Sequence, residues 1–376
     1  MSMRVWIAGG GTGGHVYPGL AVLQALEAQG PADPLYIGGI DSVEERLVER
    51  AGRRFVGIPA GGVHGLSPWR AAWNLTKLAR GFAAALGLGR RERPEVLFVT
   101  GGYASVPVAL AAWMLRTPIL VYLPDIEPGL AVRLIARLAT RVAVTTADSQ
   151  AYFPAGKSVV TGYPLRPEFA AVTQPAARKA LGLETTEKVL LVFGGSHGAR
   201  SINRAVVENL PVLLEEAQVV HLCGELDWPW VEEREDSLPS DLRARYRPFS
   251  YLHEMGQALA AADLAVCRAG ASTLGELPAF GLAAILVPYP HAWRYQRVNA
   301  EWLVSRGAAV MLEDERLGAA LVPTVRDLLR DPRRLAEMGT RSRALALPDA
   351  ADHLARQLRE LAGAPPRSGG RAEEGA

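Results

Sequence analysis

The chain has 376 residues, 49% of them hydrophobic, and a formal net charge of +2; that length exceeds one ordinary domain and fills two comfortably. So balanced a charge gives no argument for nucleic acid as a partner. The two cysteines, Cys223 and Cys267, fall in separate apolar segments and read as buried thiols of a reducing compartment, neither a disulfide framework nor a metal site.

The first strand-like run, RVWIA, passes at once into GGGTGGHVYP at residues 9–18, with no signal-peptide pattern before it. LYIG, RFVGIP, VLFVT, ILVY, RVAVT and SVVTG follow as short β-branched or aromatic runs. Alanine- and leucine-rich segments of helical length, such as GLAVLQALEAQ and PVALAAWML, lie between several of them. This alternation predicts βα units on a parallel sheet. The longest apolar stretch, residues 104–115, is interrupted by Pro107 and is too short to span a bilayer. At residues 162–167 GYPLRP breaks the rhythm, and KVLLVFGGSHGARSINRAVVENL restarts it. VVHLCG, LAVC and AAILVPYP supply further strands. The expected fold is α/β, with two Rossmann-like domains facing each other across a cleft. The expected domains are 1–163 and 164–347, with a helix over 348–361 returning to the first and a disordered tail over 362–376.

Each domain carries a glycine turn between strand and helix. Such a turn exposes backbone N–H groups at the positive end of a helix, a cradle for phosphate. Gly9, Gly11 and Gly14 fit G-x-G-x-x-G, but no acidic residue ends LYIGG to hold an NAD ribose, and Asp41 comes late. A turn chosen only for packing is the plain alternative. GGSHGA at 194–199 repeats the design, with Arg200 and Arg204 following. In CRAGASTLGE, Ser272 or Thr273 and Glu276 fit an ordinary capping box. They equally fit a phosphate at a helix N-terminus and a ribose diol on a carboxylate.

GGGTGGHVYPGLAV, VTGGYASVPVALAA, GYPLR, GGSHGARSIN, CRAGASTLGE and LVPYPH…YQRVNA fall in the order and spacing of the MurG family, which the chain resembles from residue 4 to about 361. Members of that family are UDP-N-acetylglucosamine–N-acetylmuramyl-(pentapeptide) pyrophosphoryl-undecaprenol N-acetylglucosamine transferases. The resemblance implies a glycosyltransferase B fold, UDP-N-acetylglucosamine as donor and a lipid-linked muramyl-pentapeptide as acceptor. It implies an enzyme at the cytoplasmic face of the plasma membrane, held peripherally. Position by position, it assigns donor binding to Thr12, Gly13, Gly14, Asp125, Arg166, Ser196, Leu252, Ala271, Ser272, Thr273, Leu274, Glu276, Tyr295 and Gln296. Leu252 would meet the uracil through its backbone and Glu276 the ribose hydroxyls. The first loop would also receive the acceptor's pyrophosphate. The chain departs from the family at Tyr122-Leu123-Pro124-Asp125, where H-E-Q-N is usual, and at Tyr163, His197 and Tyr295.

Transfer needs a stabilised leaving diphosphate, a deprotonated acceptor hydroxyl and exclusion of water. Loop amides, helix ends and Arg166 can meet the diphosphate, so neither a metal nor another cofactor is expected. Asp125-Ile126-Glu127 is only a near miss to D-x-D. His15 is the expected base by type and position, with Asp125 as its rival, and a purely structural histidine is the alternative. One direct displacement inverts the anomeric carbon. Between residues 64 and 94, Trp69, Trp73 and Phe82, with Arg80 among the basic flanks, fit an interfacial helix on anionic lipid; a helix packing its aromatics inward fits the same pattern. Other readings are a same-fold transferase with another lipid acceptor, a UDP-N-acetylglucosamine 2-epimerase, and an inactive nucleotide-sugar-binding subunit.

Overall fold

Every strand-like run named above forms a strand, and each strand lies parallel to its neighbours. The computed structural model of the chain describes residues 2–10, 13–62, 68–195, 198–291 and 294–363. The chain divides into two units, the first comprising Met1–Pro124, Pro128–Pro164 and Asp349–Ala376, the second Asp125–Glu127 and Leu165–Pro348.

In the first unit, β1 (Met3–Gly9), β2 (Ala32–Gly39), β3 (Phe55–Ile58), β4 (Val96–Gly101), β5 (Ile119–Leu123), β6 (Arg141–Val144) and β7 (Ser158–Val160) form one sheet in the order β3-β2-β1-β4-β5-β6-β7. Strands β4 and β5 are buried along their whole length, as expected of parallel strands covered on both faces. The helices of this unit are α1 (Gly13–Ala28), α2 (Val43–Arg50), α3 (Pro68–Glu92), α4 (Ser105–Met114) and α5 (Leu130–Leu138), joined by the C-terminal helix Ala350–Gly363. That last helix lies on α1, β4 and β5. Its Arg359 donates to the carbonyls of Leu26 and Gly30 at 2.8 and 2.7 Å, closing the C-terminal end of α1.

In the second unit, β8 (Val189–Phe193), β9 (Gln218–Leu222), β10 (Tyr246–Phe249), β11 (Leu264–Cys267), β12 (Ala283–Leu286) and β13 (Ala309–Met311) are ordered β10-β9-β8-β11-β12-β13. Side chains alternate along β8. Leu190 and Val192 join the core on one face, and Val189, Leu191 and Phe193 join the core on the other. Both sheets therefore reverse direction once, between β1 and β4 and between β8 and β11. In open parallel sheets ligands bind outside the carboxyl ends of the strands at that reversal. The glycine turns after β1 and β8, and CRAGAST after β11, stand at those two points.

One part of the expected division is corrected. Asp125–Glu127 were expected in the first domain but belong to the second unit. Ile126 is buried in that unit's core, in the cluster that also holds Phe169. Asn299, fully buried, accepts from the Ile126 N–H at 3.1 Å and donates to Asp125 Oδ1 at 2.8 Å.

Candidate active site

In the first unit, the site is built where β1 and β4 part. Thr12 lies outside the described residues, while Gly13 opens α1 and His15 follows two residues on. His15 Nδ1 is 2.8 Å from the carbonyl oxygen of Thr100, at the end of β4. A carbonyl only accepts, so Nδ1 carries a proton, and in the neutral ring it is Nε2 that keeps the lone pair. Nε2 has no partner among the described residues. The Thr100 hydroxyl donates to the His15 carbonyl at 2.7 Å, so one residue holds both the ring and the backbone of the histidine. Gly101 makes room for that ring. Its φ is +119°, and a Cβ there would stand 2.9 Å from His15 Cε1.

Glu44 was not foreseen. It lies in the first turn of α2, is only 2% exposed, and its Oε1 accepts from the Gly39 N–H at 3.2 Å. An NAD site keeps the acid at the end of β2 available to a ribose; this one is folded back onto the strand end. Tyr36 donates from its hydroxyl to the Gly9 carbonyl at 3.0 Å, and burial raises its pKa above the ordinary phenol range.

In the second unit, Ser196 and His197 lie outside the described residues. Gly198 sits at φ +74°, and a Cβ on it would approach the Cys223 carbonyl oxygen to 2.0 Å, so only glycine fits. After β11, the helix Thr273–Phe280 begins without a side-chain cap. Ser272 is itself in helical geometry, and the Thr273 hydroxyl donates to the Gly270 carbonyl at 2.6 Å. The capping box therefore does not form. Ser272 instead acts on the Glu276 side chain. Burial pushes the Glu276 carboxyl above its ordinary range, and the Ser272 hydroxyl and the Arg166 charge offset this only in part. A half-buried carboxylate with lone pairs to spare is suited to accept from a diol. Arg166 pairs with Glu168 at 3.4 Å and stacks over Phe169 at 4.8 Å.

Leu252 is half-buried against the core. Leu274 has its side chain buried in that core and its N–H bound to the Ala271 carbonyl at 3.1 Å. Ala271 and Ser272 remain partly accessible. Gln296 accepts from the Tyr289 N–H at 2.9 Å, on the helix Tyr295–Ser305 that Tyr295 opens. Asp125 is held by Asn299 as described, and Glu127 meets Arg294 at 3.0 Å.

Along α3, Trp69 is 84% exposed and Trp73 58%, and Arg80 is exposed too. Phe82 is half-buried and packs against the core of the first unit. No helix among the described residues is long and apolar enough to cross a membrane.

Comparison with known proteins agrees with this architecture. Residues 5–144 match the glycosyltransferase family 28 N-terminal domain, and residues 189–354 match the family 28 C-terminal domain. A UDP-N-acetylglucosamine–N-acetylmuramyl-(pentapeptide) pyrophosphoryl-undecaprenol N-acetylglucosamine transferase of Roseiflexus sp. (strain RS-1) is 42% identical, over 96% of this chain and 95% of its own. The protein of the same name from Desulforudis audaxviator (strain MP104C) is 41% identical, over 96% and 99%. The crystal structure of Acinetobacter baumannii MurG superposes with a TM-score of 0.74 at 26% identity, covering 95% of this chain and 99% of that one. The two parallel α/β units thus have the glycosyltransferase B fold, and the chain belongs to the MurG family of N-acetylglucosaminyltransferases.

Proposed function

We propose that the chain transfers N-acetylglucosamine from UDP-N-acetylglucosamine to the 4-hydroxyl of the muramyl sugar of undecaprenyl-pyrophosphoryl-MurNAc-pentapeptide, a step of peptidoglycan synthesis. The observation that carries this reading is 42% identity, along nearly the whole chain, to a relative whose name states the transfer.

In this reading the second unit holds the donor and the first supplies the base. The diphosphate charge that grows as the bond to the anomeric carbon breaks is met by the turn after β8, the N-terminus of Thr273–Phe280 and Arg166. Glu276 takes the ribose hydroxyls. Nε2 of His15 removes the proton from the acceptor hydroxyl, because Thr100 fixes the tautomer that leaves this nitrogen unprotonated. The hydroxyl oxygen attacks the anomeric carbon, UDP leaves from the opposite face, and the α-linked donor gives a β-linked product. Asp125 suits the donor better than the acceptor hydroxyl, since its carboxylate is tied to Asn299 of the donor unit.

The lipid acceptor calls for a membrane-facing surface. Trp69 and Trp73 offer two exposed aromatics, and Leu110, Trp113 and Met114 are exposed on α4, which packs along α3. Aromatics with Arg80 nearby fit peripheral attachment to anionic lipid at the cytoplasmic face.

The test is an acceptor screen with radiolabelled UDP-N-acetylglucosamine against muramyl-pentapeptide lipid, diacylglycerol and water. Label should pass to the muramyl lipid alone. Transfer to diacylglycerol, or epimerised sugar without transfer, would replace this reading with another.

A further inference from the structure

A buried chain of polar side chains runs beside Gly198. Asn203 donates from Nδ2 to the Cys223 carbonyl at 2.7 Å and to Asp227 Oδ2 at 2.8 Å. Both partners only accept, which fixes the amide's orientation. Its Oδ1 therefore faces His221 Nε2, 3.0 Å away, and that nitrogen must carry the proton. His221 Nδ1 then accepts from the Tyr246 hydroxyl at 2.7 Å. The far end is Arg200, whose Nε and one terminal nitrogen each lie 2.8 Å from Asp227 Oδ1. Every direction in the chain Tyr246–His221–Asn203–Asp227–Arg200 is thereby determined.

The two ends differ in exposure. The Asp227 side chain is 5% exposed and the Arg200 side chain 60%. Burial alone would push the Asp227 carboxyl up, but hydrogen bonds from Asn203, Arg200 and Trp230 outweigh it and hold it below the usual range. A buried carboxylate kept charged by a determined network costs solvation, and its one exposed product is a guanidinium held in place. That guanidinium starts the helix Arg200–Glu208, two residues beyond Gly198. The same Asn203 also fixes the Cys223 carbonyl against which Gly198 is pressed. The second terminal nitrogen of Arg200 has no partner among the described residues, and both ends of the pair stand on the carboxyl side of β8 and β9.

We propose that Arg200 is a further ligand of the donor's diphosphate and that Asp227 is a positioning residue acting through it; this rests on the donor reading above. An arginine keeps N–H groups to spare after such a pairing, and one charge-assisted hydrogen bond to phosphate is the contribution expected.

The test is calorimetric binding of UDP and of uridine to the full chain and to Arg200→Ala, Asp227→Asn and the double variant. Arg200→Ala also takes two hydrogen bonds from the buried Asp227 carboxylate, so the melting temperature of each variant is measured alongside to show that it folds. Arg200→Ala should lose about tenfold in UDP affinity and nothing for uridine. Asp227→Asn should weaken UDP severalfold in the wild-type background and leave it unchanged in the Arg200→Ala background. Wild-type UDP affinity in Arg200→Ala, or equal losses for UDP and uridine, overturns the ligand role. An Asp227→Asn effect of the same size in both backgrounds overturns the positioning role. A wild-type chain that binds no UDP overturns the donor reading itself, which separates the two failures.

Discussion

Acidifying the protein should weaken the second unit through His221. The ring is fully buried on β9 and, by desolvation, its pKa is pushed down to about 3 from the ordinary 6.5, with the Asp227 charge opposing only in part. Between those two values the unfolded chain binds a proton that the native ring refuses. The unfolded state then holds more protons, so stability is lost as the pH falls below 6.5, and the loss continues down to about pH 3. From these values the loss is about 2 kcal/mol at pH 5 and about 4 kcal/mol at pH 3. Urea unfolding should be followed at pH 7.5, 6 and 5 in the wild type and in His221→Gln, whose amide can also accept from Tyr246 and donate to Asn203. Other carboxylates titrate alike in both proteins, so the difference in pH slope isolates the imidazole. The wild type should lose about 2 kcal/mol more than the variant between pH 7.5 and 5. Parallel slopes, or a His221 ring resonance titrating near pH 6.5, would refute the assignment of a buried neutral imidazole.

Removing the base by His15→Ala should cut UDP release in the presence of acceptor by about a hundredfold or more while UDP binding stays within twofold; wild-type turnover would remove His15 from the mechanism. Glu276→Gln should weaken UDP by about tenfold and leave binding of a 2′,3′-dideoxy analogue unchanged, and equal losses for both ligands would show that Glu276 does not hold the ribose. On α3, Trp69→Ala and Trp73→Ala should lower flotation with anionic vesicles without changing the melting temperature. Phe82→Ala should do the reverse, costing about 2 kcal/mol of stability, and reduced flotation with unchanged melting would return Phe82 to the membrane face.

The strands were legible because parallel strands are buried on both faces and read as unbroken β-branched and aromatic runs. Two escaped. β10 is YRPF, with Pro248 inside it, and β13 is only three residues long. Both are edge strands, where a proline costs no ladder hydrogen bond and short runs suffice. The glycine turns were legible because close backbone approach leaves a compositional mark. Pairings across distance were not. Nothing near Thr100 announces that its carbonyl sets the tautomer of a histidine 85 positions away. Nor does Asp125-Ile126-Glu127 announce that Asn299 draws it into the other unit. Phe82 and Trp73 look alike in an amphipathic helix, and only the packing around them shows which one is inward.

The helix Ala350–Gly363 sets an order of assembly. It completes the first unit yet is the last described element to be synthesised. Until it emerges, the carbonyls of Leu26 and Gly30 lack Arg359, and the faces of α1, β4 and β5 that it covers lie open. The second unit has by then been made in full, so it can fold first although it comes later in the chain. A chain stopped near residue 349 would keep every strand of both sheets and still present an unfinished first unit to chaperones and proteases.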